Sequence, residues 1–194
     1  MFSGKMKAVT FSYDDGVTQD IRLVEILNRY GLKATFNLNS ELLGKDGCLD
    51  ILGKKISHYK LQPHEINEVY KAHEIASHTL THPDLTEMSA EEVIRQVERD
   101  RLNLSELSGV EVIGMAYPGK QPNYNSRIAQ IIEDNTGVKY ARTTICSNDF
   151  SPQRDLYEFH PSVFHRDWER LYNLAEKFIE LEPKNEKIFY IWGH

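Results

Sequence analysis

The chain has 194 residues, of which 40% are hydrophobic and 27% charged, with a formal net charge of -6. That length suits one domain, that apolar content excludes a disordered chain, and no apolar run approaches the roughly 20 residues that cross a bilayer. The acidic balance, with no Lys/Arg block, argues against a nucleic-acid partner.

Residues 1–7, MFSGKMK, carry no apolar core of a secretory signal, so the chain as written is expected in the cytoplasm, or outside the cell if an export signal was removed. A first strand, Lys7 to Tyr13, runs into Asp14-Asp15-Gly16. The helix after it places Ile21, Val24 and Leu27 on one side and ends at Gly31, where a left-handed cap belongs. The second strand is Ala34 to Leu38. Residues 40–62 lack periodicity and read as a long loop or small hairpin. Pro63 starts a short helix of about two turns. The third strand, His73 to Ser77, feeds into His78-Thr79-Leu80-Thr81-His82.

Ser89 with Glu92 reads as a capping box for a helix with Ile94, Val97, Leu104 and Leu107 on its apolar side, ended by Gly109. Strand four, Val112 to Tyr117, is broken by Pro118-Gly119. A helix over 126–135 buries Ile128, Ile131 and Ile132, and Lys139 to Thr143 is strand five. Residues 144–165 suggest one strand near Tyr157 to His160. Asp167 caps a helix whose core face carries Trp168, Leu171, Ala175 and Phe178, and Lys187 to Trp192 is the last strand. Alternating strands and helices of this kind wind a parallel sheet. With about 250 residues usual for an eightfold barrel, the expected fold is a single-domain, distorted parallel (β/α)7-type barrel, C-terminally truncated if the gene continues past His194. Cys48 and Cys146, distant in sequence and without a CxxC, read as free buried thiols.

The polar clusters sit just past strand ends, the rim where such barrels build their sites. Neighbouring residues at a strand end face opposite ways, so Asp14 and Asp15 can divide two tasks, one gripping a cation and one serving as a base. His78 and His82, four apart, would share one face of a helical turn. Two histidines and one carboxylate leave positions open for water and substrate, the arrangement of a catalytic metal. Zinc fits these ligands best, with cobalt, nickel or manganese as alternatives. Such a site hydrolyses amides or esters, and His194, at another strand end, could protonate a departing amine.

These segments resemble the motifs of the polysaccharide deacetylases, carbohydrate esterase family 4 or the NodB homology domain. Ser12-Tyr13-Asp14-Asp15-Gly16 is similar to the first motif and His78-Thr79-Leu80-Thr81-His82 to the second, H[ST]xxH. Ala116-Tyr117-Pro118-Gly119 stands where the third, RxPxG-like motif belongs, and Trp192-Gly193-His194 where LxH belongs. The resemblance implies a general base in Asp14, metal ligands in Asp15, His78 and His82, an oxyanion donor in the Gly119 amide, and a general acid in His194. It also implies a carbohydrate substrate, such as an N-acetylglucosamine polymer or acetylated xylan. Tyr13, Tyr117, Pro118 and Trp192 lie near the inferred substrate.

Three departures stand out. Ala116 replaces the family's arginine beside the catalytic aspartate, a charge expected instead from Arg142. Trp192 replaces the leucine of the acetyl pocket. The fourth motif, with its Asp-Trp pair, finds no match, leaving Asp149 and Asp155 as candidates to orient His194. Of the other histidines, His73 is expected to pack or hydrogen-bond, His160 and His165 to lie in a loop, and His58 and His64 to be peripheral. Two alternatives stay open: hydrolysis of another acyl or C–N bond in a small molecule, and an inactive metal- and carbohydrate-binding domain.

Overall fold

The computed structural model describes residues 4–194. In chain order it runs β1 (Lys7–Asp14), α1 (Asp20–Arg29), β2 (Ala34–Leu38), β3 (Cys48–Ile51), β4 (Lys54–Ser57), α2 (Ile66–Val69), β5 (Glu74–Ser77), α3 (Ala90–Ser108), β6 (Gly114–Ala116), α4 (Ser126–Asn135), β7 (Tyr140–Arg142), β8 (Val163–Phe164), α5 (Trp168–Glu180) and β9 (Lys187–Gly193). Strands β3 and β4 pair with each other as an antiparallel hairpin. The other seven form one sheet in the order β7-β6-β5-β2-β1-β9-β8, parallel at every pairing. None of the described helices is long and apolar enough to cross a membrane.

The two edges of this sheet are linked by the segment before β8. Phe159 bridges Arg142 of β7 in parallel, donating its N–H to Ala141 at 3.0 Å and accepting from Thr143 at 2.9 Å. Three residues later the Ser162 N–H reaches the Tyr190 carbonyl at 2.7 Å, and Val163 then pairs with Ile191 of β9. One stretch of chain thus bonds first to one edge and then beside the other, which curls the sheet into the distorted barrel expected from the sequence. The strand expected over 157–160 is only the single bridge at Phe159. The strand proper starts four residues further on, at Val163, because Pro161 has no N–H for a ladder.

Alternation along the strands separates a polar lumen from an apolar outer layer. Phe36 and Leu38 pack with Val24 and Leu27 of α1. Met115 and Ala141 meet Val97 of α3 and Ile128 and Ile132 of α4. Phe189 and Ile191 meet Leu174 and Phe178 of α5. Burying each large apolar side chain contributes about 1.5–3 kcal/mol. Inward positions of β1 and β2 are polar, where Asn37 Nδ2 donates to Ser12 Oγ at 2.8 Å and Thr35 Oγ1 to Glu74 at 2.6 Å, while β9 turns Ile188, Tyr190 and Trp192 inward.

Several sequence expectations shift here. Ile21 and Trp168 face solvent, at 41% and 62% exposure, because each helix rests on the sheet through residues one turn further along. In α3 the buried face includes Val93, Gln96 and Asp100, so polar side chains occupy part of a stripe expected to be apolar, and Ile94 is only half-buried. Both cysteines are free, but Cys48 is exposed, since the hairpin that carries it lies outside the barrel core.

Asp20 opens α1 with its carboxyl buried and accepts the Tyr70 hydroxyl at 2.6 Å. Burial, reinforced by the charge of Asp15 and opposed by the Tyr70 bond, pushes it up to about 7. A raised carboxyl favours the native state when protonated. That contribution is full below the unfolded value near 4 and is lost as pH rises toward 7. The metal-free protein is therefore expected to lose stability over that interval, and Asp20→Asn to flatten the loss. Urea midpoints at pH 4.5 and 7.5 test this, and an equal decline in the variant would refute it.

Candidate metal centre and cleft

The parallel strands end at a common level. Register pairs Asp14 with Asn37, Leu38 with Ser77, Ser77 with Met115, Ala116 with Arg142, and Tyr13 with Gly193. Residues just beyond these ends converge on one cleft of about 490 Å³.

Strict alternation would send Asp15 to the outer face. The backbone turns instead, with φ of +85° at Asp15 and +62° at Gly16, and the Asp15 N–H is held by the Asn37 carbonyl at 2.9 Å. Glycine is required at the second position, both for that φ and because a Cβ would stand 2.8 Å from Leu38 Cδ2. Both aspartates therefore line the cleft.

His78 and His82 do not lie on a helical turn as expected. His78 follows β5 directly, and left-handed residues at Thr79 (φ +70°) and His82 (φ +58°) fold the loop back. The two rings then meet edge to face with centroids 4.9 Å apart. Buried groups of the loop itself and of neighbouring elements hold it. Thr79 Oγ1 accepts the His82 N–H at 3.1 Å, Asn39 Nδ2 donates to the Thr79 carbonyl at 2.9 Å, and Gln96 Oε1 accepts from Thr81 N–H at 3.2 Å. Asp100 of α3, fully buried, accepts Ser77 Oγ at 2.6 Å, the His78 N–H at 3.2 Å and the Ser40 N–H at 2.7 Å. Burial pushes its carboxyl up to about 6 against those hydrogen bonds.

The Ala116 carbonyl lies 2.8 Å from His78 Nδ1. A carbonyl only accepts, so Nδ1 carries the proton and Nε2 keeps its lone pair for a ligand. Burial pushes His78 down to about 4, holding the ring in the neutral form that binds a metal. Burial alone would raise Asp15. The hydrogen bond to His58, the charge of Lys60 and, at the low pH where they are protonated, the charges of His78 and His82 outweigh it and hold the carboxyl well below the usual range. One ligand atom from each of Asp15, His78 and His82 lies within 4.8 Å of the other two. A carboxylate and two imidazoles at that spacing fit one divalent first-row cation.

Asp14 stands beside this cluster but outside it. Arg142 Nη2 reaches both of its carboxylate oxygens at 2.5 Å, and Asn37 Nδ2 donates to Oδ1 at 2.8 Å. Arg142 is fully buried with its guanidinium 4.7 Å from the centre of the Trp192 ring. Because Ala116 and Arg142 are register partners on adjacent strands, a cation absent from β6 is supplied at the same level from β7.

Tyr117, Gly119, Trp192 and His194 complete the cleft wall. Gly119 has φ +87°, and Tyr117 is anchored by its hydroxyl to the Tyr157 carbonyl at 2.9 Å. His194 is exposed, its ring 6.1 Å from Phe164 and 6.3 Å from Trp192. Two expected substrate contacts fall elsewhere. Tyr13 alternates outward and stacks on Phe36 at 6.2 Å in the outer core, and Pro118 is buried rather than lining the cleft. Asp149 and Asp155 accept backbone N–H groups of Phe150 at 2.7 Å and Tyr157 at 2.9 Å. They shape turns and are engaged there, not with His194, among the described residues. His165 lies nearer that end: its backbone N–H donates to the Trp192 carbonyl at 2.7 Å, and its ring fills the space a Cβ at Gly193 would need.

His58 is not peripheral. Its Nε2 lies 3.1 Å from Asp15 Oδ2, and Lys60 Nζ lies 3.2 Å from Oδ1. The chain leaving the hairpin is threaded between two neighbours: Thr18 N–H bonds Tyr59, Leu61 N–H bonds Gly16, and Lys60 N–H bonds Lys45. Only the alternation around Tyr59 in the sequence could have hinted that His58 and Lys60 share a face.

Fold and side chains together define a parallel βα barrel with a two-histidine, one-carboxylate metal-binding geometry at its C-terminal rim. The chain belongs to the polysaccharide deacetylase family, whose sequence model matches residues 3–141. Among solved structures it is similar to a Streptococcus pyogenes deacetylase, PplD, in complex with acetate (23% identity, TM-score 0.56, 70% of this chain and 55% of that one). It is also similar to a polysaccharide deacetylase from Bacillus cereus (19%, 0.56, 70% and 40%). A third similar structure is a carbohydrate esterase family 4 pseudoenzyme from Bacillus anthracis (18%, 0.55, 98% and 55%). The chain thus spans 40–55% of the length of these relatives. No curated protein matches the sequence.

Proposed function

We propose that the chain is a metal-dependent hydrolase that removes N- or O-acetyl groups from a carbohydrate. The observation that carries this reading is the convergence of Asp15, His78 and His82 within 4.8 Å, with Asp14 alongside and paired to Arg142 rather than to the cluster. Asp15 Oδ and one nitrogen from each histidine would hold the ion. When bound, a divalent cation there supplies Lewis acidity toward an acyl oxygen and toward water. Asp14 accepts the proton of the attacking water, and Arg142 with Asn37 fixes its carboxylate. The Gly119 N–H, on a backbone turned by its positive φ, donates to the developing oxyanion. His194, exposed at the cleft, delivers a proton to the leaving nitrogen or oxygen, and the buried Tyr117 and Trp192 shape the cleft wall against which the acyl group would rest.

Zinc is the favoured ion, and cobalt, nickel and manganese suit the same donors. Acetate release from chitooligosaccharides and from acetylated xylan, compared with a panel of small N-acyl compounds after chelation and reloading with each metal, tests the reading. Expected is one metal per chain and metal-dependent acetate release from a carbohydrate. His78→Ala is expected to lose the bound metal, with thermal unfolding confirming the fold. Retention of full metal content by that variant would remove the proposed site. A second reading, sugar binding without turnover, draws on Lys60 and His58 already engaging both oxygens of Asp15. Sugar binding with one metal per chain and no acetate would select it.

A further inference from the structure

Lys60 has no part in the chemistry above, yet it is 8% exposed and lines the cleft. Its ammonium rests on Asp15 Oδ1 at 3.2 Å, while His58 holds the other oxygen at 3.1 Å. Asp15 is also the carboxylate that a divalent ion would claim. An ion there sets a second cation beside the ammonium, and the single negative charge they share neutralises only part of their combined charge. A buried charge left without a partner is costly, and the fixed backbone of residues 59–61 keeps Lys60 from leaving the cleft altogether.

The charges of Asp14 and Asp20 also reach Lys60 but offset this only in part. Asp14, the remaining carboxylate of the lining, is taken by Arg142. Asp20, whose field also reaches Lys60, is occupied by the Tyr70 hydroxyl at 2.6 Å. A second lysine, Lys120, lines the same cleft from the loop after Gly119 and has no ion-pair partner among the described residues. In a chain of net charge -6, a cleft lined by two lysines and two carboxylates becomes locally positive once a divalent ion joins it. Such a local field attracts anions against the overall charge.

We propose that the sugar bound in this cleft carries an anionic group, a carboxylate or a phosphate, and that Lys60 is the specificity-determining residue that recognises it once a divalent ion is held by Asp15. The inference rests on the metal-dependent reading above, but it concerns binding and not turnover.

The test is calorimetric titration of the zinc-loaded protein with N-acetylglucosamine, its 6-phosphate and N-acetylmuramic acid, the last two separating phosphate from carboxylate as the group recognised. At least one anionic sugar is expected to bind about tenfold tighter than the neutral one, the worth of one hydrogen bond between charged groups. The preference should shrink as salt is raised. Lys60→Met should bring the ratio close to one, and Lys60→Arg should retain part of it. Equal binding of all three sugars by the wild-type protein overturns the proposal, as does an undiminished preference in a folded Lys60→Met. If that variant does not fold, the wild-type ratio and its salt dependence decide. Absence of acetate release from every sugar would refute the hydrolase reading while leaving this comparison readable.

Discussion

Asp14→Asn is expected to lower turnover by about 10²–10⁴-fold, the usual contribution of a positioned general base, while the metal content stays at that of the wild-type protein. The separation of the two effects follows from the site. Asp15 belongs to the cluster with His78 and His82, whereas Asp14 is bound by Arg142 and Asn37. An asparagine has nearly the same shape and can still present an oxygen to Asn37 Nδ2, but it cannot take a proton from water. Metal analysis and acetate release on the same preparation measure both quantities. Full activity would take the role of base from Asp14, and loss of metal along with activity would place it among the ligands.

Arg142→Met is expected to be the most destabilising single change in the site, at about 3–5 kcal/mol, because it strands a buried carboxylate. Asp14 is 5% exposed and Arg142 fully buried, so water from the cleft compensates only in part for the lost partner, and the guanidinium also gives up its packing over Trp192. Removing both charges should be milder than removing one. The double variant Asp14→Asn with Arg142→Met is therefore expected to recover much of the loss, and urea unfolding of the four proteins gives the coupling energy. The effect should also be nearly insensitive to salt, unlike that of an exposed pair. A cost under about 1 kcal/mol for Arg142→Met would show that the pair does not hold the site together.

Both expectations start from residues visible in the sequence, but they were visible to different degrees. Asp14-Asp15-Gly16 and His78 to His82 could be located as a metal-site pattern from residue type and position after a strand. Arg142 was expected on the next strand end, and β6–β7 register brings it to Asp14. Other features could not be read. The left-handed turns at Asp15, Thr79 and His82 depend on non-glycine residues held by surrounding bonds, which no local propensity announces. Asn37, Asn39 and Asp100 matter because they meet loops from other elements. Polar residues in a strand or on a helix stripe otherwise look like interruptions of a core.

What the linear sequence determined is the order of strands and helices, the barrel class, and the set of rim residues able to hold an ion. These follow from hydrophobic period, capping residues and strand-end position, all of which act over a few neighbouring residues. Only the tertiary structure decided that Tyr13 turns away into the outer core, that the edges are joined through Phe159 to Val163, and that Lys60 and His58 grip Asp15. Those outcomes depend on packing and hydrogen bonds between segments distant in the chain. Their energies exist only once the barrel has brought the partners within a few ångströms of one another.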